Sequence, residues 1–258
     1  MKGIKKKIKA RLRFWNTNAK LKKLAGTKDY NAKIIEIEAL SKFFKKNIRV
    51  LEFGCGNGYT ALEMAKRFSA RIDACDYSPE MILEAKKLQK KKLSNRVNFF
   101  LADIKKKLKI KPIYDLVFTE RVLINLDSWE SQKKSIIKLA KYLKPKGRLV
   151  LMENSATGLK KINDYRSLLG LKKIKAPWHN LYLDDRKMLN FKIRNCKPIK
   201  VIPYSSTYYF LSRVVNAWLA NEKGIEPNYN AKINKLAFKL PPISDCAQGK
   251  IYLYKKIS

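Results

Sequence analysis

The segment Arg49-Val50-Leu51-Glu52-Phe53-Gly54-Cys55-Gly56-Asn57-Gly58 decides the fold of this chain. Its apolar first half is typical of a buried β-strand, and the alternate glycines indicate a tight turn into a helix that begins near Thr60. Glycines suit such a turn because the backbone takes positive φ angles and approaches a ligand without an intervening Cβ atom. Asp76 ends the next predicted strand, where an acid can accept hydrogen bonds from ribose hydroxyls. The pattern therefore predicts a nucleotide-cofactor site.

The spacing of the glycines indicates which kind of cofactor binds. A dinucleotide site has its third glycine five positions after the first, whereas position 59 here is Tyr and the third glycine comes one residue early. No Gly-Lys-Ser/Thr ending follows, which argues against a phosphate-binding P-loop. Glu52, two residues before Gly54, would repel a pyrophosphate and can orient a cationic ligand. These features favour a ligand that carries a ribose and no phosphate.

The turn also fits a family pattern. Its sequence, acid-x-Gly-x-Gly-x-Gly from Glu52 to Gly58, resembles the first motif of the class I S-adenosylmethionine-dependent methyltransferases, and further motifs extend the resemblance over about residues 48–155. The resemblance implies that S-adenosylmethionine is the cofactor. It implies a cofactor-binding role for Glu52, Gly54, Cys55, Gly56, Gly58, Asp76, Tyr77, Met81, Asp103, Ile104 and Glu120.

The resemblance also assigns parts of the cofactor to these residues. The glycine loop would surround the methionine part, and Asp76 would bind the ribose. Tyr77 and Met81 would cover the ribose and the adenine. Asp103 and Ile104 would bind the adenine amino group and pack on the ring.

Strand and helix signals alternate along the rest of the chain. Apolar runs predict strands at residues 49–53, 71–76, 97–101, 114–119, 148–152, 198–204 and 248–255. Helical patterns are predicted at 30–46, 60–68, 158–169, 184–191 and 207–221, with others that begin at Pro79 and near Trp129. Such alternation is typical of a parallel sheet with helices on both faces. We therefore predict an α/β fold with a Rossmann-like, seven-stranded sheet, and the resemblance implies that the last strand runs antiparallel beside the fifth.

Three local patterns predict where elements begin and end. Ser78 can cap a helix whose first residue is Pro79. Asp127 and Glu130 have capping-box spacing for a helix that continues to residue 143. The residues Lys-Pro-Lys-Gly at 144–147 predict a turn before the fifth strand.

The N-terminus is predicted to be a basic helix. Residues 1–24 contain no acid and have apolar residues close to helical spacing. Such a helix can rest on an anionic membrane surface or cover the catalytic domain, and its short apolar stripe favours the second. We predict an N-terminal helical cap at residues 1–47 and a cofactor-binding domain at residues 48–258.

Composition excludes several other classes of protein. No run approaches the ~20 apolar residues that cross a bilayer, and the basic N-terminus lacks the apolar core of a secretory signal. The chain has four cysteines without Cys-x-x-Cys spacing and one histidine, so no metal site is predicted. Reduced thiols favour a cytoplasmic protein.

The net charge of +37 has three explanations that the sequence leaves open. The first is the base composition of the gene, because lysines outnumber arginines 46 to 12, as A/T-rich coding sequence produces. Arginine, the residue preferred for phosphate recognition, is not enriched. The other two explanations are a polyanionic partner and a small anionic substrate, both of which a basic protein attracts.

The chain after the fifth strand supplies the predicted acceptor site, as an insertion at about residues 153–195, because open α/β folds bind ligands at this edge of the sheet. The predicted acceptor-binding residues are Tyr30, Glu153, Asn154, Arg166, Trp178, Asn180 and Tyr182. His179 is the candidate general base, since imidazole titrates near neutrality; a hydrogen-bonded structural histidine is the alternative. Glu120 and Arg121 are further catalytic candidates, with a structural ion pair as the alternative.

The leading hypothesis is O-methylation of a small, anionic acceptor: a sugar, a sugar nucleotide or a phosphorylated precursor of a surface glycan. The patterns at 26–30 and 177–180 resemble methyltransferases associated with bacterial capsule and surface-polysaccharide synthesis. An RNA or ribosome-associated methyltransferase is the second hypothesis, although the Asn/Asp-Pro-Pro-aromatic motif of nucleobase-amino methyltransferases does not follow the fourth strand. A third is a non-catalytic cofactor-binding partner or membrane-surface module.

Overall fold

The computed structural model describes residues 2–21, 25–27, 29–108, 110–111, 113–243 and 245–257. The strands in this part of the chain are β1 (Arg49–Phe53), β2 (Arg71–Asp76), β3 (Val97–Leu101), β4 (Tyr114–Glu120), β5 (Leu143–Asn154), β6 (Cys196–Ile202) and β7 (Gly249–Lys256). The α-helices are α1 (Lys2–Ala19), α2 (Tyr30–Ser41), α3 (Tyr59–Phe68), α4 (Pro79–Lys92), α5 (Trp129–Ala140), α6 (Ala156–Leu168), α7 (Asp185–Asn190), α8 (Ser206–Phe210), α9 (Asn216–Glu222) and α10 (Lys232–Lys235).

The strands form one sheet in the order β3-β2-β1-β4-β5-β7-β6. The pairs from β3 to β5 are parallel, whereas β7 lies antiparallel between β5 and β6. This confirms the predicted α/β, Rossmann-like sheet with an antiparallel last strand beside the fifth. The strand order reverses between β1 and β4, and ligands of open α/β sheets bind at the carboxyl ends of strands at such a point.

The core lies on both faces of the sheet because successive side chains of a strand point to opposite sides. From β1, Val50 packs with Leu62 of α3 in one cluster. Leu51, the next residue, packs with Ile136 and Leu139 of α5 in the other. Since both faces are covered, β1 is buried from its second residue onward and shows no polar face.

Two of the local sequence predictions are wrong and one is confirmed. Ser78 caps α4, its hydroxyl accepting from the Met81 N–H at 3.2 Å. Ser128 rather than Asp127 caps α5, because the Asp127 carboxylate instead pairs with Arg11 and with another basic side chain. The predicted turn at 144–147 lies within β5, at a shift of register against β4.

The N-terminal helices pack against the sheet domain. Helix α1 contacts α4, where the Ser78 hydroxyl donates to Asn16 Oδ1 at 2.6 Å. Helix α2 ends at Ser41, five residues before its predicted end. Within the described residues, no helix is long and apolar enough to cross a membrane. The predicted helix at 207–221 forms as α8 and α9 joined by a π-helical turn, Leu211–Val215.

Candidate functional site

A cavity of about 580 Å³ lies at the carboxyl ends of β1, β2 and β4, where the strand order reverses. It is lined by the loop after β1, by the first residues after β2 and β4, and by α1. The predicted site residues that line it are Glu52, Gly54, Cys55, Gly56, Asp76, Tyr77, Met81, Asp103, Ile104, Glu120, Arg121, Asn154, His179, Asn180 and Tyr182.

The glycine loop is held to the neighbouring strand through its backbone. The N–H groups of Gly54 and Cys55 donate to the Cys75 carbonyl at 2.6 and 3.0 Å. Gly54 has φ of +75°, and a Cβ atom there would lie 2.1 Å from a methyl of Val122. Gly56 has φ of +53°, and its Cβ would meet one described atom within 4 Å, Met81 Sδ at 3.9 Å. Gly54 therefore permits close packing, while Gly56 keeps space free beside the cavity.

Gly58, which the resemblance places with the cofactor, lies away from the cavity lining defined by the described residues. It has φ of +75°, and a Cβ there would lie 2.4 Å from the ring of Phe99 and 3.0 Å from Ala85. The third glycine thus lets α3 begin close to β3 and α4.

Asp76 joins the two loops that follow β1 and β2. Its carboxylate accepts from the Gly56 N–H at 3.0 Å and from the Ser78 N–H at 2.9 Å. Burial raises the pKa of this carboxyl, while the backbone donors of Ser78, Gly56 and Tyr77 oppose the rise. A carboxylate has about four lone-pair sites, so these three backbone donors leave acceptor capacity for a ribose.

Glu52 is the buried acid of the loop, with 1% of its surface exposed. Burial, together with the nearby charge of Glu120, raises its pKa to about 8, and Lys33 opposes this. Among the described residues, Glu52 Oε2 has no hydrogen-bond partner. A cation bound in the cavity would supply one and favour the ionised carboxylate.

Glu120 and Arg121 lie in a buried cluster of charges with Lys33, Thr60 and Glu36. Thr60 Oγ1 accepts from Lys33 Nζ at 2.7 Å and donates to Glu120 at 2.9 Å, and Lys33 also pairs directly with Glu120. Arg121 Nε lies 3.1 Å from Glu36 Oε1. Glu120 and Arg121 form the structural ion pairs that the sequence offered as the alternative, and both also line the cavity.

The two acids of this cluster hold their protons differently. Burial raises the pKa of Glu36 to about 8, against the charge of Arg121. Burial also opposes ionisation of Glu120, but the charges of Lys33 and Arg121 outweigh it and lower its pKa to about 2. The surroundings therefore favour the ionised form of Glu120 and the protonated form of Glu36.

His179 lines the cavity beneath α1. Its ring lies 4.3 Å from the ring of Phe14 and 5.5 Å from that of Trp15, measured between centroids. Burial and the charge of Arg11 lower its pKa, so the imidazole is neutral at neutral pH and can accept a proton. Its Nδ1 has no hydrogen-bond partner in the described part of the chain.

Four predicted acceptor-binding residues lie outside the cavity wall formed by the described residues: Tyr30, Glu153, Arg166 and Trp178. Glu153 is fully buried, and its carboxylate accepts from Thr119 Oγ1 and from the N–H groups of Val122, Leu123 and Ile124, at 2.7 to 3.3 Å. Burial raises its pKa to about 7 despite these donors. It holds the loop after β4 in place.

The other three are displaced for different reasons. Arg166 Nε donates to the Lys172 carbonyl at 2.7 Å, and its Nη1 donates to the Arg213 carbonyl. Trp178 is 61% exposed and packs with the ring of His179. Tyr30 is at the start of α2, where its hydroxyl pairs with that of Tyr59.

Comparison with known proteins identifies the family. A family model described as "Methyltransferase domain" matches residues 44–183, more than half of the chain. The chain belongs to the methyltransferase domain family. A curated relative, a malonyl-[acyl-carrier protein] O-methyltransferase of Priestia megaterium, is 38% identical over 112 residues, which span 43% of this chain and 38% of that relative.

Solved structures show the same fold for this methyltransferase domain. The [4+2]-cyclase SpnF is similar with a TM-score of 0.58 and 19% identity, over 87% of this chain and 80% of that one. Coclaurine N-methyltransferase bound to N-methylheliamine and SAH, the demethylated cofactor, is similar with a TM-score of 0.54 and 14% identity, over 88% and 72%.

S-adenosylmethionine is the cofactor of the methyltransferase domain, and the residues of the cavity fit it. The unpartnered oxygen of Glu52 suits a ligand that carries a sulfonium and an ammonium group. Asp76 retains acceptors for a ribose, and the space in front of Gly56 admits a ligand next to the backbone.

Several residues of the cavity wall escaped the sequence analysis: Arg11, Phe14, Trp15, Lys33, Thr60, Tyr209, Arg213 and Gln248. They come from α1, α2, α3, the helical run after β6 and the residue before β7. Thr60 lies two residues after Gly58, and Lys33 three residues after the pattern at 26–30. The others are far along the chain from the glycine loop and join the cavity through tertiary packing.

Proposed function

We propose that this protein transfers a methyl group from S-adenosylmethionine to an oxygen atom of a small, anionic acceptor. One observation carries the proposal: the glycine loop and a second, polar group of side chains line the same cavity. The second group includes Asn154, Tyr182, Tyr209 and Gln248. A cavity with two chemically different sides can hold a methyl donor beside its acceptor.

The residues of the chain would contribute mainly by alignment. S-adenosylmethionine, when bound, supplies a methyl group that is already activated toward attack. Holding two reactants ~3 Å apart and in line can contribute roughly 7 to 11 kcal/mol to catalysis. The Asp76 carboxylate and the amides of the glycine loop would fix the position of the donor, and the helix α1 would limit access of water.

His179 is the proposed general base. A hydroxyl acceptor must lose a proton as the methyl transfers, and a neutral imidazole in the cavity wall can take it. Glu120 is ionised but tied to Lys33 and Thr60. We propose that Glu120 and Arg121 position the groups around the methyl donor.

We propose the acceptor that the sequence favours, which is a sugar, a sugar nucleotide or a phosphorylated precursor of a surface glycan. The basic surface, with a net charge of +37, supports an anionic acceptor through electrostatic steering. A second candidate is an acyl carboxyl group, which the malonyl-[acyl-carrier protein] O-methyltransferase relative supports.

We also propose a division of the chain into an N-terminal helical cap at residues 1–47 and a cofactor-binding domain at 48–258. Contacts of α1 with α4 and the cavity support it. Peripheral membrane contact through residues 1–24 and methylation of RNA are the competing roles of the basic N-terminus and surface.

The decisive experiment is transfer of a labelled methyl group into separated small-molecule and RNA extracts of the source cell. Labelled products would be resolved by anion exchange and identified by mass. We expect label in an acidic small molecule with wild-type protein, and much less with Asp76→Ala, the cofactor-site control, at a subsaturating concentration of S-adenosylmethionine. Label in RNA, or S-adenosylmethionine binding without transfer to either fraction, would contradict the proposal.

A further inference from the structure

The polar side of the cavity contains an arginine that no sequence motif identified. Arg213 lies in the π-helical turn Leu211–Val215, between α8 and α9. A π-helical turn widens the helix by one residue and is often found at functional sites. Arg213 lines the cavity, and its side chain is 16% exposed. Arg213 has no role in the methyl transfer proposed for this cavity.

The Arg213 guanidinium is held rigidly by its surroundings. Its Nη2 lies 2.7 Å from Asp29 Oδ2, and its Nη1 donates to Ser212 Oγ at 3.2 Å. It stacks between two phenol rings, 5.1 Å from the centroid of Tyr209 and 4.4 Å from that of Tyr229. A guanidinium has five N–H donors, and within the described residues these bonds use two of them. Because Arg213 lines the cavity, a ligand there can reach the guanidinium that these contacts hold in place.

The neighbouring side chains of the cavity wall add further donors. The Tyr182 hydroxyl accepts from Gln248 Nε2 at 3.2 Å and also bonds to the amides of Asn154 and Asn180. Burial raises the pKa of both Tyr182 and Tyr209, so both phenols keep their protons at neutral pH. Tyr182, Tyr209 and Arg213 line the same cavity, and the Arg213 guanidinium lies over the Tyr209 ring. We call Tyr182, Tyr209 and Arg213 the arginine wall.

We propose that the arginine wall binds the anionic group of the methyl acceptor, a carboxylate or a phosphate, through Arg213 and the hydroxyls of Tyr182 and Tyr209. The inference rests on the proposed function for the identity of the ligand as an acceptor. A planar guanidinium fork suits both anions, since each presents two oxygens to parallel N–H donors. Arg213 is thus a specificity-determining residue, because it fixes the charged end of the acceptor. A different oxygen of the acceptor then faces the methyl donor.

The test measures anion binding directly and does not depend on turnover. Inorganic phosphate and acetate are titrated separately, by calorimetry, into protein saturated with S-adenosylhomocysteine. We expect wild-type protein to bind at least one probe, and Arg213→Gln to weaken that binding by about tenfold or more, the loss expected for a charge-assisted bond. The preferred probe distinguishes a phosphorylated acceptor from a carboxylated one.

Two further variants keep the outcome clear. Arg194→Gln changes an exposed arginine in the same way and should leave probe binding unchanged. Tyr209→Phe removes one hydroxyl and leaves the pair of Arg213 with Asp29, and should weaken binding about threefold to tenfold. If Arg213→Gln loses S-adenosylhomocysteine binding through misfolding, Tyr209→Phe decides.

The inference is overturned if wild-type protein binds neither probe, if Arg194→Gln weakens binding as much as Arg213→Gln, or if Tyr209→Phe and a folded Arg213→Gln both bind like wild type. Its failure is distinguishable from that of the proposed function. If probe binding depends on Arg213 but no extract receives a methyl group, the anion site stands and the proposed methyl transfer fails. If a neutral molecule receives the methyl group and no probe binds, methyl transfer stands and the anion site fails.

Discussion

The two sides of the cavity are built in different ways. The cofactor side comes from one stretch of chain, Glu52 to Ile104, and its contacts are largely with the backbone of the loops after β1 and β2. The proposed acceptor side is assembled from distant segments: Arg213, in its wall, pairs with Asp29, 184 residues away along the chain. Sequence motifs can therefore encode the first side, whereas the second exists only after the chain has folded.

The largest effect should come from the acceptor side, with His179→Ala. Removal of a general base typically costs 10²-fold or more, so we expect turnover to fall about 100-fold while S-adenosylmethionine affinity stays close to wild type. Because burial lowers the pKa of His179, the wild-type rate should fall on the acid side, below the usual imidazole value, and the variant should lose this limb. Label transfer to the identified acceptor measures both.

The matched variant is His179→Phe, which preserves ring packing against Phe14 and Trp15 but cannot accept a proton. Equal losses in the two variants support proton transfer. Wild-type turnover in His179→Phe would leave His179 with a packing role alone.

A methyl group added to the cofactor side should have the next largest effect. In Gly56→Ala the new Cβ would stand beside Met81 Sδ, in the space next to the loop. We expect the S-adenosylmethionine binding free energy to weaken by about 1 to 3 kcal/mol, the cost of an extra methyl in filled space. Calorimetry gives the affinity, and thermal unfolding gives the stability.

Gly170→Ala is the control for backbone strain. Gly170 also has a positive φ, +68° against +53° for Gly56, but its Cβ would meet nothing described within 4 Å. Both variants should lose about 1 to 2 kcal/mol of stability, and Gly56→Ala alone should lose cofactor affinity. Similar affinities would show that the loop side of the cavity is not the cofactor site.

Asp76→Ala tests the ribose-binding acid. We expect S-adenosylmethionine affinity to fall at least about tenfold, or ~1.4 kcal/mol, because the variant loses the proposed ribose acceptors and the bonds to Gly56 and Ser78. Asp73→Ala, on the same strand, is the control, since Asp73 instead bonds to Tyr114 and Asn98. Unchanged affinity in Asp76→Ala would remove the ribose assignment.

The smallest effect is a pH dependence of cofactor binding. The pKa of Glu52 is about 8 in the free protein, and a bound cation would lower it, so binding releases a proton. Affinity for S-adenosylmethionine should therefore rise between pH 6 and 8, by about threefold to tenfold in all, and level off above pH 8. A flat profile in wild-type protein, or the same slope in Glu52→Gln, would exclude Glu52 as the source.

The sequence predicts the two sides of the cavity unequally well, because one depends on local signals and the other on distant contacts. The apolar strand before Gly54 and the order of strands and helices are local signals, and the sheet they predicted is the one observed. Ser78 was recognisable as a cap because its partner, the Met81 N–H, is three residues away. Asp127 also occupies a position where a helix cap is expected, but its carboxylate pairs with Arg11, which is distant along the chain.

The proposed acceptor residues could not be identified by position along the chain. Glu153 follows the fifth strand as an acceptor residue might, yet its carboxylate is used entirely inside the protein. Arg213 interrupts an apolar run in the sequence, and its pairing with the distant Asp29 and its place in the cavity wall are known only from the folded chain. Polar residues of this kind have the same signature in sequence whether they serve folding or binding.

The bonds of Glu153 have a consequence for how such a protein can evolve. The loop after β4 is fixed through the N–H groups of Val122, Leu123 and Ile124, which every residue except proline possesses. Val122 and Ile124 face the cavity, so a substitution at Ile124 changes the shape of the wall while the loop keeps its anchor. Val122 is less free, because its methyl groups pack against Gly54. Because one buried carboxylate holds the loop through backbone groups, the position of the loop does not depend on its side chains. Ile124 can therefore change under selection for a new acceptor.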